Sequence, residues 1–194
     1  MVSLRSLVAS AALMAAPVLA ALTPQQITDG IKLMAQKTYA LHKPAQSITT
    51  ANPLVIIGGG PFPTIIAGFI DIASTGRGLI AQFPNTDPIQ KRNVPSRITR
   101  RGPDADLVFE SFREFVGVAQ ELFNILIDKA GLLTNIPGIG QPVAAALREV
   151  EGVIDTIGIT LINLIESRAT DLTADTKSLS ATLKLCIEKY SSLA

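Results

Sequence analysis

From residue 143 onward the apolar positions fall into step. Val143, Leu147, Val150, Ile154, Ile157, Leu161 and Leu164 alternate spacings of four and three, which places them on one face of a helix about six turns long. Leu172, Leu179, Leu183, Cys186 and Tyr190 form a second stripe of the same kind. Upstream, Val108, Phe112, Phe115, Ala119, Leu122 and Leu126 repeat the pattern, and Phe109, Val116 and Phe123 widen it beyond an ordinary apolar face. Such width predicts a central helix touched on several sides.

Boundary chemistry agrees with the periodicity. Thr23-Pro24-Gln25-Gln26 offers an N-cap, a proline at the first helical position and a capping-box glutamine, opening a helix that runs toward His42. A second helix is expected after Pro63, reaching about Gln82. The stretch "IPGIGQP" from Ile136 to Pro142 breaks the chain before the long helix that starts near Pro142. No alternating β-branched run bounded by hairpin turns is present. The expected fold is all-α, a single-domain helical bundle of about five or six helices with no sheet, and 91–102 is its exposed polar loop.

The first twenty residues read differently. Arg5 precedes an apolar run from Leu7 to Ala16, and Val18 and Ala20 sit at the −3 and −1 positions of a cleavage site. That pattern predicts a secretory signal peptide over 1–20 rather than a membrane span, with the working domain over 21–194. Residues 1–20 take only Arg5 from the 17 basic side chains, so 16 basic face 16 acidic ones in the exported part. A balance near zero gives no electrostatic footprint for nucleic acid. Cys186 is the single cysteine, so no intramolecular disulfide can form and the core must hold the fold by packing. No Asn-x-Ser/Thr acceptor occurs, and the C-terminal "CIEKYSSLA" carries no apolar tail of lipid-anchor length. The expected location is extracellular, with no transmembrane anchor.

Candidate chemistry is sparse. The stretch "NPLVIIGGGPFPTIIAGF" holds three consecutive glycines, yet Pro61-Phe62-Pro63 follows them where a phosphate loop needs Lys-Ser/Thr and free N–H donors. It reads as a joint, with Gly58, Gly59 and Gly60 as its hinge. His42 is the one histidine and is expected to be terminal and exposed. No Gly-x-Ser-x-Gly elbow accompanies it, and Cys186 lies on an apolar stripe as a buried, inert thiol. One His, one Cys and scattered carboxylates give no metal spacing. Glu110, Glu114 and Glu121, like Glu149 and Glu151, read as solvated helix faces. No catalytic residue, metal ligand or cofactor is assigned, and the protein is expected not to be an enzyme. Lys91-Arg92 and Arg100-Arg101 are dibasic pairs open to a late-secretory protease or to anionic lipid.

Three runs carry a resemblance: "GPFPTIIAGF", then "FREFVGVAQELFNILIDKAGLLTNIPGIGQPVAAALREVEGVIDT", then "SRATDLTADTKSLSATLKLCIEKY". Together they resemble the fungal hydrophobic surface-binding protein A and cell wall galactomannoprotein family, over nearly all of the exported part and most densely from Phe112 to Tyr190. The resemblance implies a secreted helical protein that adsorbs to hydrophobic surfaces and assists polymer-degrading hydrolases there; related mannoprotein domains hold a fatty acid between helices. A Ser/Thr-rich stalk and an anchor signal are lacking, and one copy of the domain is present. Partners are therefore expected to be a hydrophobic surface or a lipid such as a fatty acid, with a secreted hydrolase alongside. An apolar lining would be drawn from Ile65, Ile66 and Phe69 after the glycines and from Phe112, Phe115, Val116, Phe123 and Leu126. Two mechanisms stay open, an acyl cavity inside the bundle and helices that splay at the joints to lay apolar faces on an interface. The resemblance also admits a purely structural, cell wall associated mannoprotein, while a secreted hydrolase would need a nucleophile and base that the chain does not visibly supply.

Overall fold

A computed structural model describes residues 22–49, 60–86, 88–89, 103–134 and 138–193. Residues 1–20, expected as a leader, Gly58 and Gly59 of the expected hinge, residues 91–102, expected as a polar loop with two dibasic pairs, and Ile136-Pro137 of the second joint lie outside the described residues. The fold is all-α. Helix α1 spans Pro24–Ala40, α2 His42–Gln46, α3 Pro61–Ile80, α4 Pro103–Ala130, α5 Gly140–Leu164 and α6 Ala169–Ser191, with short 3-10 turns at Phe83–Asn85, Gly131–Leu133 and Glu166–Arg168.

Local signals start these helices. Thr23 Oγ1 accepts the Gln26 N–H at 3.2 Å while Gln26 Oε1 accepts the Thr23 N–H at 2.9 Å, a reciprocal box that satisfies two otherwise orphaned donors. The chain leaves α1 at Ala40 and re-forms a short turn of helix at His42 rather than ending there. Helix α3 opens at Pro61 rather than after Pro63: Gly60 is its extended N-cap, and Pro61 takes the first helical position, where its missing N–H costs nothing. At the second joint Gly138 has φ +85°, in the left-handed region that a side chain disfavours, and this turn lets α5 begin at Gly140.

Packing arranges the five long helices as a closed ring. Going round it, α1 neighbours α3, α3 neighbours α5, α5 neighbours α6, α6 neighbours α4, and α4 returns to α1. The short α2 leans on α3 and α4 at one side. Every residue of the three stripes read from the sequence is buried, and all belong to one contiguous apolar core. The wide stripe of α4 has a different cause from the one expected. Glu110, Arg113, Glu114, Glu121 and Asn124 keep one side of α4 in solvent, so it is a ring member and not a central helix. It spreads its apolar residues over contacts with α1, α2 and α6 and over the ring interior.

A few polar contacts fasten the ring. Arg168, in the turn before α6, donates from Nη2 to Asp106 Oδ1 of α4 at 2.7 Å and from Nη1 to Asp171 at 3.2 Å, while its guanidinium lies 4.6 Å from the Phe109 ring centroid. Tyr190 of α6 donates its hydroxyl to the Leu126 carbonyl of α4 at 3.1 Å. Lys37 and Asp71, 2.7 Å apart, bridge α1 and α3 at the surface.

Candidate functional site

The residues expected to line an apolar site converge on the ring interior. Ile65 and Phe69 project from α3, and Phe112, Phe115, Val116, Phe123 and Leu126 from α4, all buried. Helices α3 and α4 stand across the ring from each other, so their side chains meet through its middle. The Phe69 and Phe123 ring centroids are 6.3 Å apart at an interplanar angle of 35°, and Phe112 and Phe115 are also 6.3 Å apart. These separations are within the range in which aromatic pairs attract. Ile66 differs from the rest: it is half-buried, packed against the margin of the core.

The interior is chemically uniform. Among the described residues no Asp, Glu, Lys or Arg is buried, and the buried polar side chains are Thr28, Thr38, His42 and Ser111. Thr38 and Ser111 each donate to a backbone carbonyl of their own helix at 2.8 Å, which leaves neither hydroxyl proton for a ligand carboxylate. Thr28 Oγ1 has no partner among the described residues. A charged head group would therefore find no counter-ion inside the ring and must stay at its margin.

His42 is not the exposed terminal residue expected from the sequence. Only 6% of its surface is accessible; it sits under Tyr39, with ring centroids 5.1 Å apart, and its Nε2–H donates to the Val118 carbonyl at 3.0 Å. That bond places the proton on Nε2 and pins α2 against α4. Its Nδ1 faces Glu121 at 3.9 Å. The signal that it would be buried was absent from its neighbours Lys43-Pro44, because burial comes from a helix 76 residues further along the chain.

Cys186 is buried, and desolvation pushes its thiol up to about 12, so the thiolate that would make it a nucleophile is suppressed. Burial first, and the adjacent Cys186 second, push the Tyr190 phenol up as well. Gly60 opens α3 with two prolines in the first turn, Pro61 and Pro63, neither of which can offer an N–H to an anion. No group of three or more His, Cys, Asp or Glu among the described residues could hold a metal ion, and no described helix is long and apolar enough to cross a membrane.

Two surface grooves were not anticipated. One, of about 590 Å3, runs between α1 and α4 and is lined by Lys32, Ala35, Gln36, Tyr39, Glu114 and Val118. The other, of about 470 Å3, follows the outer seam of α5 and α6, where Ile159 and Ile162 face Thr173, Thr176, Lys177, Ser180, Ala181 and Lys184. The sequence did hold a trace of the second: Ile159 and Ile162 are large apolar residues that fall off the buried stripe of α5.

No protein-family model matches the sequence, and no curated protein matches it. The fold, however, is that of a known structure. The Aspergillus fumigatus mannoprotein AFMP4P, solved in complex with palmitic acid, superposes with a TM-score of 0.69 over 86% of this chain and 99% of its own, at 12% sequence identity. At that identity the likeness is one of fold alone.

Proposed function

We propose that the protein is a non-enzymatic lipid binder whose ring of helices receives an acyl chain between α3 and α4. The observation that carries this reading is the meeting of Phe69 and Phe123 across an interior in which no charged side chain is buried among the described residues. The mannoprotein of the same fold holds palmitic acid, which supports the reading. An acyl chain of about fifteen methylenes offers about 12 kcal/mol on burial, against an association cost of about 4–15 kcal/mol. Affinity thus depends on how cheaply the aromatic side chains swing aside. Ile65, Phe69, Phe112, Phe115, Val116, Phe123 and Leu126 would line the chain, with Ile66 at the margin. The signal-like leader supports secretion, and extracellular lipid or a polymer surface attacked by hydrolases would be its setting. Native mass spectrometry of the purified protein should show a saturable palmitate adduct, and the methyl NMR signals of interior isoleucines such as Ile65 should move as it forms. A protein that takes up none from excess palmitate would end this reading.

A second reading has its own support. Leu33 and Tyr39 of α1 and Ile70 of α3 are exposed large apolar residues, and no disulfide ties the helices, so the ring could adsorb by opening onto a hydrophobic surface. A carbodiimide amide between Lys37 and Asp71 would hold α1 to α3. Adsorption to a polyester film should then fall while helicity persists; undiminished adsorption would rule out opening between these helices.

A further inference from the structure

We propose that the outer seam of α5 and α6 is a separate binding site for the anion of a single-chain fatty acid. It shares no residue with the ring interior, so it stands whether or not the interior takes a ligand. The two helices run antiparallel, with Asp155 opposite Ser180 and Gly158 opposite Thr176. A Cβ at Gly158 would lie 2.7 Å from both Thr176 Cγ2 and Oγ1, so the glycine lets α6 settle close. Thr176 Oγ1 is then buried at the base of the groove with no hydrogen-bond partner among the described residues.

The walls divide by chemistry. Ile159 is 60% exposed beside the partly buried Ile162, and Ala181 is small enough to leave the opposite wall low. This apolar surface stays wet in the free protein, and a methylene chain would cover it. From Thr173 to Lys184 the groove extends about 16 Å along α6 at 1.5 Å per residue. Its volume of about 470 Å3 falls within the usual range for small-molecule sites.

Charge selects the head group. Lys177 and Lys184 line the same flank, about 10 Å apart along the helix, and neither is in a salt bridge among the described residues. Asp155 is the one acid in the lining, and its Oδ1 already accepts the Ser180 hydroxyl at 2.7 Å. Two free ammonium groups over an apolar floor fit a carboxylate with a hydrocarbon tail. The larger α1–α4 groove lacks this selectivity, since Lys32 and Glu114 oppose each other in its lining.

Isoleucine methyl NMR with three twelve-carbon probes below their micellar concentrations tests the site: laurate, dodecyltrimethylammonium and dodecyl maltoside. Laurate should move the Ile159 and Ile162 methyl signals saturably and at least tenfold more tightly than the cationic probe. A Lys177→Glu/Lys184→Glu variant should lose that preference, and Ala181→Trp should block the groove. These positions are exposed, so an unchanged circular dichroism melt will show that both variants fold. Equal binding of all three probes at the seam would overturn the proposal. Movement confined to interior methyls such as Ile65 and Ile154 would also overturn it while leaving the acyl-chain reading of the interior intact. If no methyl moves, both readings fall.

Discussion

Ile154 and Ile159 are five residues apart on one helix, yet the first is sealed inside the ring and the second lies open on the α5–α6 seam. The interior they separate from solvent is apolar, aromatic and closed, whereas the seam is open, mixed in chemistry and flanked by two lysines. A ligand reaching the interior must displace side chains that already pack on one another, and its gain is mostly hydrocarbon burial. At the seam nothing has to move, and the selecting term is charge. The proposed interior and seam sites would thus hold hydrocarbon in two physically different ways.

The interior offers the strongest way to break that contrast. Phe123→Ala should destabilise the protein by about 3–5 kcal/mol in urea unfolding, because it removes an aromatic ring from a site that cannot fully collapse. Palmitate should return part of the lost stability by filling the space. A loss under 1 kcal/mol would mean that the aromatic centre is loosely packed.

A smaller effect comes from the acid–base chemistry of the core. Burial keeps the Cys186 thiol protonated to about pH 12 in the folded state, against an ordinary value of 9.0. The unfolded chain therefore releases this proton first, and stability present below pH 9 declines as pH rises toward 12. The slope approaches about 1.4 kcal/mol per pH unit, and the raised Tyr190 phenol adds to the loss in the same direction at higher pH. Urea midpoints between pH 8 and 11 should fall less steeply in Cys186→Ala; identical slopes would show that the thiol is not desolvated. The smallest change belongs to the seam. Ile159→Ala should shift stability by no more than about 0.5 kcal/mol, since its side chain is already mostly in water, and a larger loss would place Ile159 in the packed core.

Much of the architecture was legible in the chain. The stripes on α4, α5 and α6 gave helix positions and buried faces residue by residue, and Thr23 to Gln26 gave the capping box that starts α1. Helix boundaries were off by about one turn or less where proline had two permissible roles, as at Pro61 and Pro63. The residues named as a candidate lining were legible as apolar, and the structure buries them in one core, except Ile66, which is half-buried at its margin. His42, the ring order and the seam were not legible. Each depends on a partner dozens of residues away, and no local pattern records which helix will arrive there.

What the sequence by itself determined is thus the set of helices and the face each must bury, because a 3.6-residue period and a cap act within a turn or two of chain. What only the tertiary structure decided is the cyclic order α1–α3–α5–α6–α4 and its consequences: α4 as a wall rather than a centre, Phe69 against Phe123, His42 under Tyr39, and lysines over the seam. An apolar face specifies that it must be covered and not by which partner, since the hydrophobic effect is non-directional. The choice among partners is made by side-chain shape and by the few long-range bonds, such as Tyr190 to Leu126 and Arg168 to Asp106, that hold the ring in one order.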